Sequence, residues 1–362
     1  MKKNLILITL FSMALLNCAG TGTHSNKVND SAVPKASNTE VFTGKNSRLI
    51  GRFDLSANGQ AAFTWPGSAI EFRFEGSQAS IAIASQGKTR FSLSVDNQVK
   101  DFWTEAGSKT YLLASNLTKG IHVIRLTRVN ESTAGVTSFT SDPQVDGKLL
   151  TIEAPKKRLL VIGDSITAGY GVEGANQSCH YTLDTSNQQL TYAALAAKNL
   201  GADLHAIAWS GIGAWRSYGE KTPVNQTILD RYPRALADEK NSLWNAAKYI
   251  PDAVLINIGT NDFWDGAVAE EYKQGMTKLI AKVQTDYVNK PIYLIVSPML
   301  TDKKHEAQKQ ILNSLTSSQI KVFDLGESTG VEGFGCDYHP NTTTHARLGK
   351  ELETKLKAEL NW

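Results

Sequence analysis

Four short blocks of this sequence hold residue types that together could cleave an ester. The first, Val161-Ile162-Gly163-Asp164-Ser165-Ile166-Thr167-Ala168-Gly169-Tyr170-Gly171, sets a serine directly after an apolar run, among glycines that permit a tight turn. Such a serine stands at a helix start, where its hydroxyl is presented as a nucleophile. The second and third blocks are Trp209-Ser210-Gly211-Ile212-Gly213 and Ile258-Gly259-Thr260-Asn261-Asp262. The fourth, Gly335-Cys336-Asp337-Tyr338-His339-Pro340-Asn341, brings a histidine near the C-terminus. Acyl transfer needs a nucleophile, a base to take its proton, and donors facing the developing oxyanion. A serine, a histidine, a glycine turn and an asparagine amide meet those needs. Each also has a plain structural reading: Ser165 as a helix cap, Gly211 as a turn residue, Asn261-Asp262 as a loop cap.

The elements that must position these blocks can be read around them. Leu159-Leu160-Val161-Ile162 is a continuous apolar run, the pattern of a strand buried on both faces. Similar runs recur at 204–208, 253–258, 292–296 and 321–325, with helix-like stretches at 190–200, 270–287 and 306–315 and a last helix after the histidine block. Alternating strands and helices predict a doubly wound α/β domain whose parallel sheet has about five strands. In such sheets reactive groups gather at the carboxyl ends of the strands. The region before residue 150 has a different texture. Ile70, Phe72 and Phe74 alternate with Glu71, Arg73 and Glu75, and turn pairs such as Asn58-Gly59, Asp96-Asn97 and Lys119-Gly120 punctuate similar runs. Period-two alternation predicts an antiparallel β-sandwich with one wet face per sheet.

Composition excludes several function classes. With 362 residues, two domains are expected. Lys and Arg number 38 against 35 acids, a net charge of +3 that is too balanced for a nucleic-acid partner. Three cysteines allow neither a disulfide framework nor a four-cysteine zinc site, and no ligand set at zinc spacing surrounds His180 beside Cys179. No metal or other cofactor is implied. At the N-terminus, Lys2 and Lys3 precede an apolar run that ends at Leu15-Leu16-Asn17-Cys18. This resembles a bacterial lipoprotein signal over 1–17, although Asn17 departs from the usual small residue before the cysteine. Cys18 is then the lipidated first residue, 18–42 a flexible tether, and the protein an exported, outer-membrane lipoprotein touching the membrane only through that lipid; the alternative is an ordinary secretory signal with an incidental cysteine and a secreted protein. After residue 17 no apolar run reaches the roughly 20 residues that span a bilayer.

The four blocks, in this order and at strand ends, resemble the SGNH hydrolases, so called for Ser, Gly, Asn and His in successive blocks. The preceding segment, with Phe63-Thr64-Trp65-Pro66-Gly67 and Asp146-Gly147-Lys148-Leu149-Leu150, is similar to the front domain of the carbohydrate esterase family 2 deacetylases. The resemblance implies a jelly-roll β-sandwich over 43–152 and an SGNH domain over 153–362. It implies Ser165 as nucleophile, His339 as general base, and the Ser165 and Gly211 main-chain N–H groups with the Asn261 amide as oxyanion hole. Many SGNH enzymes carry a supporting aspartate three residues before the histidine, but Cys336 stands there. Asp337, two residues before, is expected to orient His339, with a main-chain carbonyl as the alternative. Because the first and last blocks must meet, a Cys179–Cys336 disulfide is expected. Trp215, Trp264 and Tyr338, beside the blocks, are candidate sugar-stacking residues. An unperturbed histidine base, with a pKa of roughly 6.5, puts the acid limb of activity near pH 6. The implied activity is removal of O-acetyl groups from acetylated xylan or glucomannan, the sugar 6-hydroxyl esters favoured. Its rivals are a lipase, thioesterase or peptidoglycan O-acetylesterase on the same scaffold, and a non-catalytic carbohydrate-binding lipoprotein.

Overall fold

The computed structural model describes residues 41–55, 59–266 and 269–362. The signal segment, Cys18 and the tether as far as residue 40 lie outside the described residues. The first part of the chain is antiparallel β-structure. Its strands are β1 (Ser47–Ile50), β2 (Ala61–Phe63), β3 (Ala69–Gly76), β4 (Ala79–Ser85), β5 (Thr89–Val95), β6 (Gln98–Thr104), β7 (Gly107–Ala114), β8 (Gly120–Arg128), β9 (Thr137–Phe139), β10 (Gln144–Val145) and β11 (Lys148–Leu150). One sheet runs β1-β3-β8-β5-β6 with β11 added to β3. The other is built round β4, which pairs with β7, β9 and β10, while β9 pairs with β2. The alternation in β3 buries Ile70, Phe72 and Phe74 completely. They meet Phe63, Ile81, Ile83 and Phe139 of the opposing sheet in one aromatic-rich core. Asp96 and Asn97, at φ 49° and 71°, make the two-residue turn between β5 and β6. Both positions need left-handed backbone, which asparagine and aspartate tolerate best among side-chain-bearing residues.

The second part alternates strands and helices: β12 (Lys157–Gly163), α1 (Ser165–Ala168), α2 (Tyr192–Leu200), β13 (Ala202–Ala208), α3 (Ile228–Arg231), β14 (Ala253–Asn257), α4 (Ala269–Asp286), β15 (Ile292–Ile295), α5 (Asp302–Asn313), β16 (Ile320–Phe323) and α6 (Thr342–Leu360). The five strands are parallel in the order β13-β12-β14-β15-β16. The continuous apolar run of β12 has a direct cause. Leu160 and Ile162 enter the core under α4 and α5, whereas Leu159 and Val161 enter the core under α2 and α6. Side chains alternate across a strand, so a sheet covered on both faces requires apolar residues at every position. β12 lies between β13 and β14, and chain order reverses there, which opens a crevice beyond its carboxyl end.

The sandwich is tied into the α/β part rather than appended to it. Trp65, fully buried, belongs to the core beneath α4 and donates its Nε1–H to the Arg234 carbonyl at 3.3 Å. The buried guanidinium of Arg52 donates to the carbonyls of Tyr232 and Arg234. Arg48 reaches the Asp203 carboxylate at 2.6 Å. Trp65 and Gly67 belong to the segment that carried the front-domain resemblance; a Cβ on Gly67 would lie 2.8 Å from Gln188 Oε1.

Candidate active site

β12 ends at Gly163, and the chain turns at once into the single turn of α1. Gly163 has to be glycine because a Cβ there would overlap the Thr167 side chain. Asp164 caps the turn by accepting the Ile166 N–H at 3.1 Å, and Gly169, at φ 82°, ends it. Ser165 is thereby fixed as the first residue of α1, and its main-chain N–H has no intrahelical acceptor. Asp164 is fully buried, which pushes its carboxyl up to about 7 against the opposing bonds from Thr260 and Ile166.

His339 comes from the loop before α6, and its Nε2 lies 2.8 Å from Ser165 Oγ. Its Nδ1 lies 3.1 Å from the Asp337 carbonyl and 3.2 Å from the Cys336 carbonyl. The Asp337 carboxylate is elsewhere: Oδ2 accepts the Tyr170 hydroxyl at 2.8 Å and Oδ1 lies 2.7 Å from His180 Nδ1. The expectation that this carboxylate orients His339 is therefore corrected in favour of the main-chain alternative. The cause is local. Asp337 and Tyr338 take φ 51° and 63°, a left-handed pair that turns carbonyls toward the imidazole and the Asp337 side chain away. A web of bonds holds that strained loop. Cys336 is bonded to Cys179, the Cys336 N–H reaches the Gly171 carbonyl at 3.0 Å, and the Asp337 N–H reaches the Cys179 carbonyl at 3.0 Å. Burial lowers the His339 pKa to about 4, outweighing the two carbonyls and the Asp337 charge that favour the imidazolium.

Gly211, at φ 80°, occupies the turn after β13. Among the described residues its N–H meets no protein acceptor, while its carbonyl accepts the Tyr218 N–H at 2.8 Å. Asn261 follows β14; its Nδ2 donates one hydrogen to the Ile212 carbonyl at 2.7 Å, which leaves a second. Asp262 joins the two loops by accepting the N–H groups of Ala214, Trp215 and Arg216 at 3.0, 2.8 and 3.2 Å. A further histidine, His345, is buried and accepts the Tyr192 N–H at 3.1 Å.

Ser165, Gly211, Asn261 and His339 converge on one open cavity of about 1040 Å³. Trp264 also lines it, its indole N–H held by the Glu220 carbonyl at 3.0 Å, and the exposed Tyr218 leans on that indole at 5.5 Å. Trp215 and Tyr338 do not line the cavity. The Arg216 guanidinium covers the Trp215 ring, and Tyr338 packs edge-on against Phe334. Their positions beside catalytic blocks could not reveal on which side of the loop each ring would fall. Tyr170, unremarked within the nucleophile block, stacks on the His339 imidazole with centroids 4.3 Å apart. The far rim comes from Met299 to Lys304, after β15, a stretch with no motif to mark it.

A serine after the central strand, a histidine from the last loop, and a glycine turn and an asparagine from the two neighbouring strand ends define an SGNH-type hydrolase. The comparisons agree. Residues 49–152 match the Carbohydrate esterase 2 N-terminal model, and residues 161–347 match the GDSL-like Lipase/Acylhydrolase family. A family two carbohydrate esterase from Clostridium thermocellum, solved with cellohexaose, is 32% identical; the similarity covers 87% of this chain and 99% of that one, with a TM-score of 0.83. The Cellulase/esterase CelE of Acetivibrio thermocellus is 34% identical over 86% of this chain, which spans 39% of that relative's length. An Acetylxylan esterase / glucomannan deacetylase of Cellvibrio japonicus is 26% identical, over 82% of this chain and 85% of its own. The chain belongs to carbohydrate esterase family 2.

Proposed function

We propose that this chain is a serine esterase that removes O-acetyl groups from plant cell-wall polysaccharides through an acetyl-enzyme. The observation that carries the reading is the 2.8 Å approach of Ser165 Oγ to His339 Nε2, at the mouth of a cavity shared with Gly211 and Asn261. His339 takes the Ser165 proton as Oγ attacks the acetyl carbonyl. Its other nitrogen, Nδ1–H, donates to main-chain carbonyls, so the developing imidazolium is stabilised without a carboxylate partner. The oxyanion is met by the Ser165 and Gly211 N–H groups and the free hydrogen of the Asn261 amide. His339 then returns the proton to the leaving sugar hydroxyl, and a water deprotonated by the same nitrogen releases acetate.

Acetylated xylan or glucomannan is the proposed substrate, in keeping with the names of the Cellvibrio japonicus relatives, and 6-O-acetyl groups are proposed as the preferred esters. The open cavity and its Tyr218–Trp264 wall suit a sugar chain better than a long acyl tail. The N-terminal signal makes the protein an exported lipoprotein anchored through Cys18, and a Cys179–Cys336 bridge suits an oxidising compartment. NMR of a mixed acetylated xylan and glucomannan sample during digestion tests the substrate, with Ser165→Ala as control. Acetyl signals should vanish with the wild type and persist with the alanine variant. Turnover by Ser165→Ala, or faster cleavage of octanoyl than of acetyl aryl esters, overturns the reading.

A further inference from the structure

We infer that Glu131, contributed by the sandwich, is a positioning residue that sets the direction of the oxyanion donor Gly211 N–H. The inference rests on the hydrolase reading of Ser165 and goes beyond it, because nothing in the four blocks points to the front domain. Glu131 lies three residues beyond β8 and is only 3% exposed. Its Oε1 accepts the Ser210 hydroxyl at 2.6 Å, and its Oε2 accepts the Ser210 main-chain N–H at 3.3 Å. Ser210 directly precedes Gly211.

The peptide plane between residues 210 and 211 carries the Gly211 N–H, and two soft dihedrals decide where it points. Glycine at φ 80° leaves those dihedrals unusually free, so the direction must be imposed from both sides. Tyr218 imposes it from one side by donating to the Gly211 carbonyl at 2.8 Å. Glu131 imposes it from the other by holding both donors of Ser210.

Glu131 itself sits in a fixed frame. The Arg128 guanidinium, fully buried, donates to the carbonyls of Asn130 at 3.2 Å, Glu131 at 2.7 Å and Gly135 at 2.7 Å. The Asn130 side chain bridges the two parts of the chain, accepting the Arg90 N–H at 2.7 Å and donating to the Leu183 carbonyl at 2.8 Å. Among the described residues the Glu131 side chain has no cation on its oxygens, and its one carboxyl partner is Ser210. Burial, with a further contribution from the Asp164 charge, pushes it up to about 7 against the Ser210 bonds, and the hydroxyls of Tyr170 and Tyr181 also feel its charge. A buried acid in these surroundings is a poor device for stability, since removing a carboxylate from water is costly unless it is paired. As a rigid acceptor aimed at the residue before an oxyanion donor, it has a use.

The test compares wild type, Glu131→Ala, Glu131→Gln and Ser210→Ala, reading kcat and KM on a small aryl acetate and the 15N order parameter of the Gly211 amide. Glu131→Ala should lower kcat roughly ten- to a hundredfold with KM within about twofold, below the 10²–10³ typical of deleting an oxyanion donor outright. The Gly211 order parameter should fall from the rigid value near 0.85 toward about 0.6. Glu131→Gln should recover most of kcat, because its amide oxygen still accepts the Ser210 N–H while its NH₂ meets the hydroxyl. Either kcat within twofold of wild type or an unchanged Gly211 order parameter in folded Glu131→Ala overturns the inference. If that variant does not fold, Ser210→Ala is held to the same two criteria. A wild type without turnover would instead defeat the hydrolase reading, and the order parameter alone would then decide the role of Glu131.

Discussion

The ring of Tyr170 lies on the imidazole of His339, 27° from parallel with centroids 4.3 Å apart, and its hydroxyl donates to the Asp337 carboxylate at 2.8 Å. Among the described residues, the carboxylate's hydrogen-bonded link to His339 thus runs through an aromatic intermediary. Asp337, Tyr170 and His180 form a chain along the cavity wall, and the proposed proton-transfer pair is Ser165 and His339 with main-chain support.

Asp337→Ala separates this arrangement from a triad. Where a carboxylate bonds the far ring nitrogen, disabling it costs about 10⁴ in kcat. Here Nδ1 faces two carbonyls, so kcat on a small aryl acetate should fall tenfold or less. The variant also frees the Tyr170 hydroxyl, so part of that loss reflects a looser stack on His339. Measured kcat decides the matter; a drop of a thousandfold would restore Asp337 to the catalytic set.

The pH profile carries a second expectation. A base works only when neutral, and His339 is neutral above its lowered pKa of about 4. The acid limb of kcat/KM, which reports the free enzyme, should therefore lie near pH 4 rather than 6. Stability sets a competing limit. His345 is buried with its pKa lowered to about 3, whereas the unfolded chain binds that proton near 6.5. The unfolded state holds more protons across that window, so stability is lost progressively as pH falls through it. Rates taken after brief exposure to acid distinguish the two, and a reversible limb at 6 to 6.5 would contradict the assignment.

Much of this architecture was legible because burial imposes residue type. A strand covered on both faces must be apolar throughout, which is why β12 and its neighbours stood out, and the alternation of β3 marked a sheet with one wet face. Strand ends then located Ser165, Gly211 and Asn261, and the block before the last helix located His339. What stayed hidden depends on backbone direction and on contacts distant in sequence. Nothing in Asp337-Tyr338 announces two consecutive positive φ values, yet they decide where the carboxylate points. Glu131 meets Ser210 across 79 residues, from a segment with no motif of its own.

Cys179→Ser should destabilise the fold. The bridge closes a loop of 157 residues, for which chain-entropy arguments give on the order of 5 kcal/mol. It also anchors the strained loop that carries His339, so kcat should fall together with stability. Urea unfolding at an unchanged slope reads the first effect and aryl acetate turnover the second. An unaltered midpoint under non-reducing conditions would show that the bridge contributes nothing.

The wall of the cavity offers the sharpest test of how a polysaccharide is held. Tyr218 is 68% exposed and lines the cavity against Trp264, so its ring contributes little to the folded core but presents a flat apolar face to an incoming sugar. Tyr338, 62% exposed, sits closer in sequence to His339 but packs against Phe334 outside the lining. Proximity in sequence favoured Tyr338; geometry favours Tyr218. Tyr218→Ala should raise KM for acetylated polysaccharide about fivefold to tenfold, the equivalent of roughly 1 to 1.4 kcal/mol. It should spare a small aryl acetate, which leaves the stacking face empty. Tyr338→Ala should change neither substrate by more than twofold. Paired KM measurements on polymer and aryl ester decide between them. If Tyr338→Ala weakens polymer binding while Tyr218→Ala does not, the sugar runs along the outer face of the histidine loop instead of the Trp264 wall.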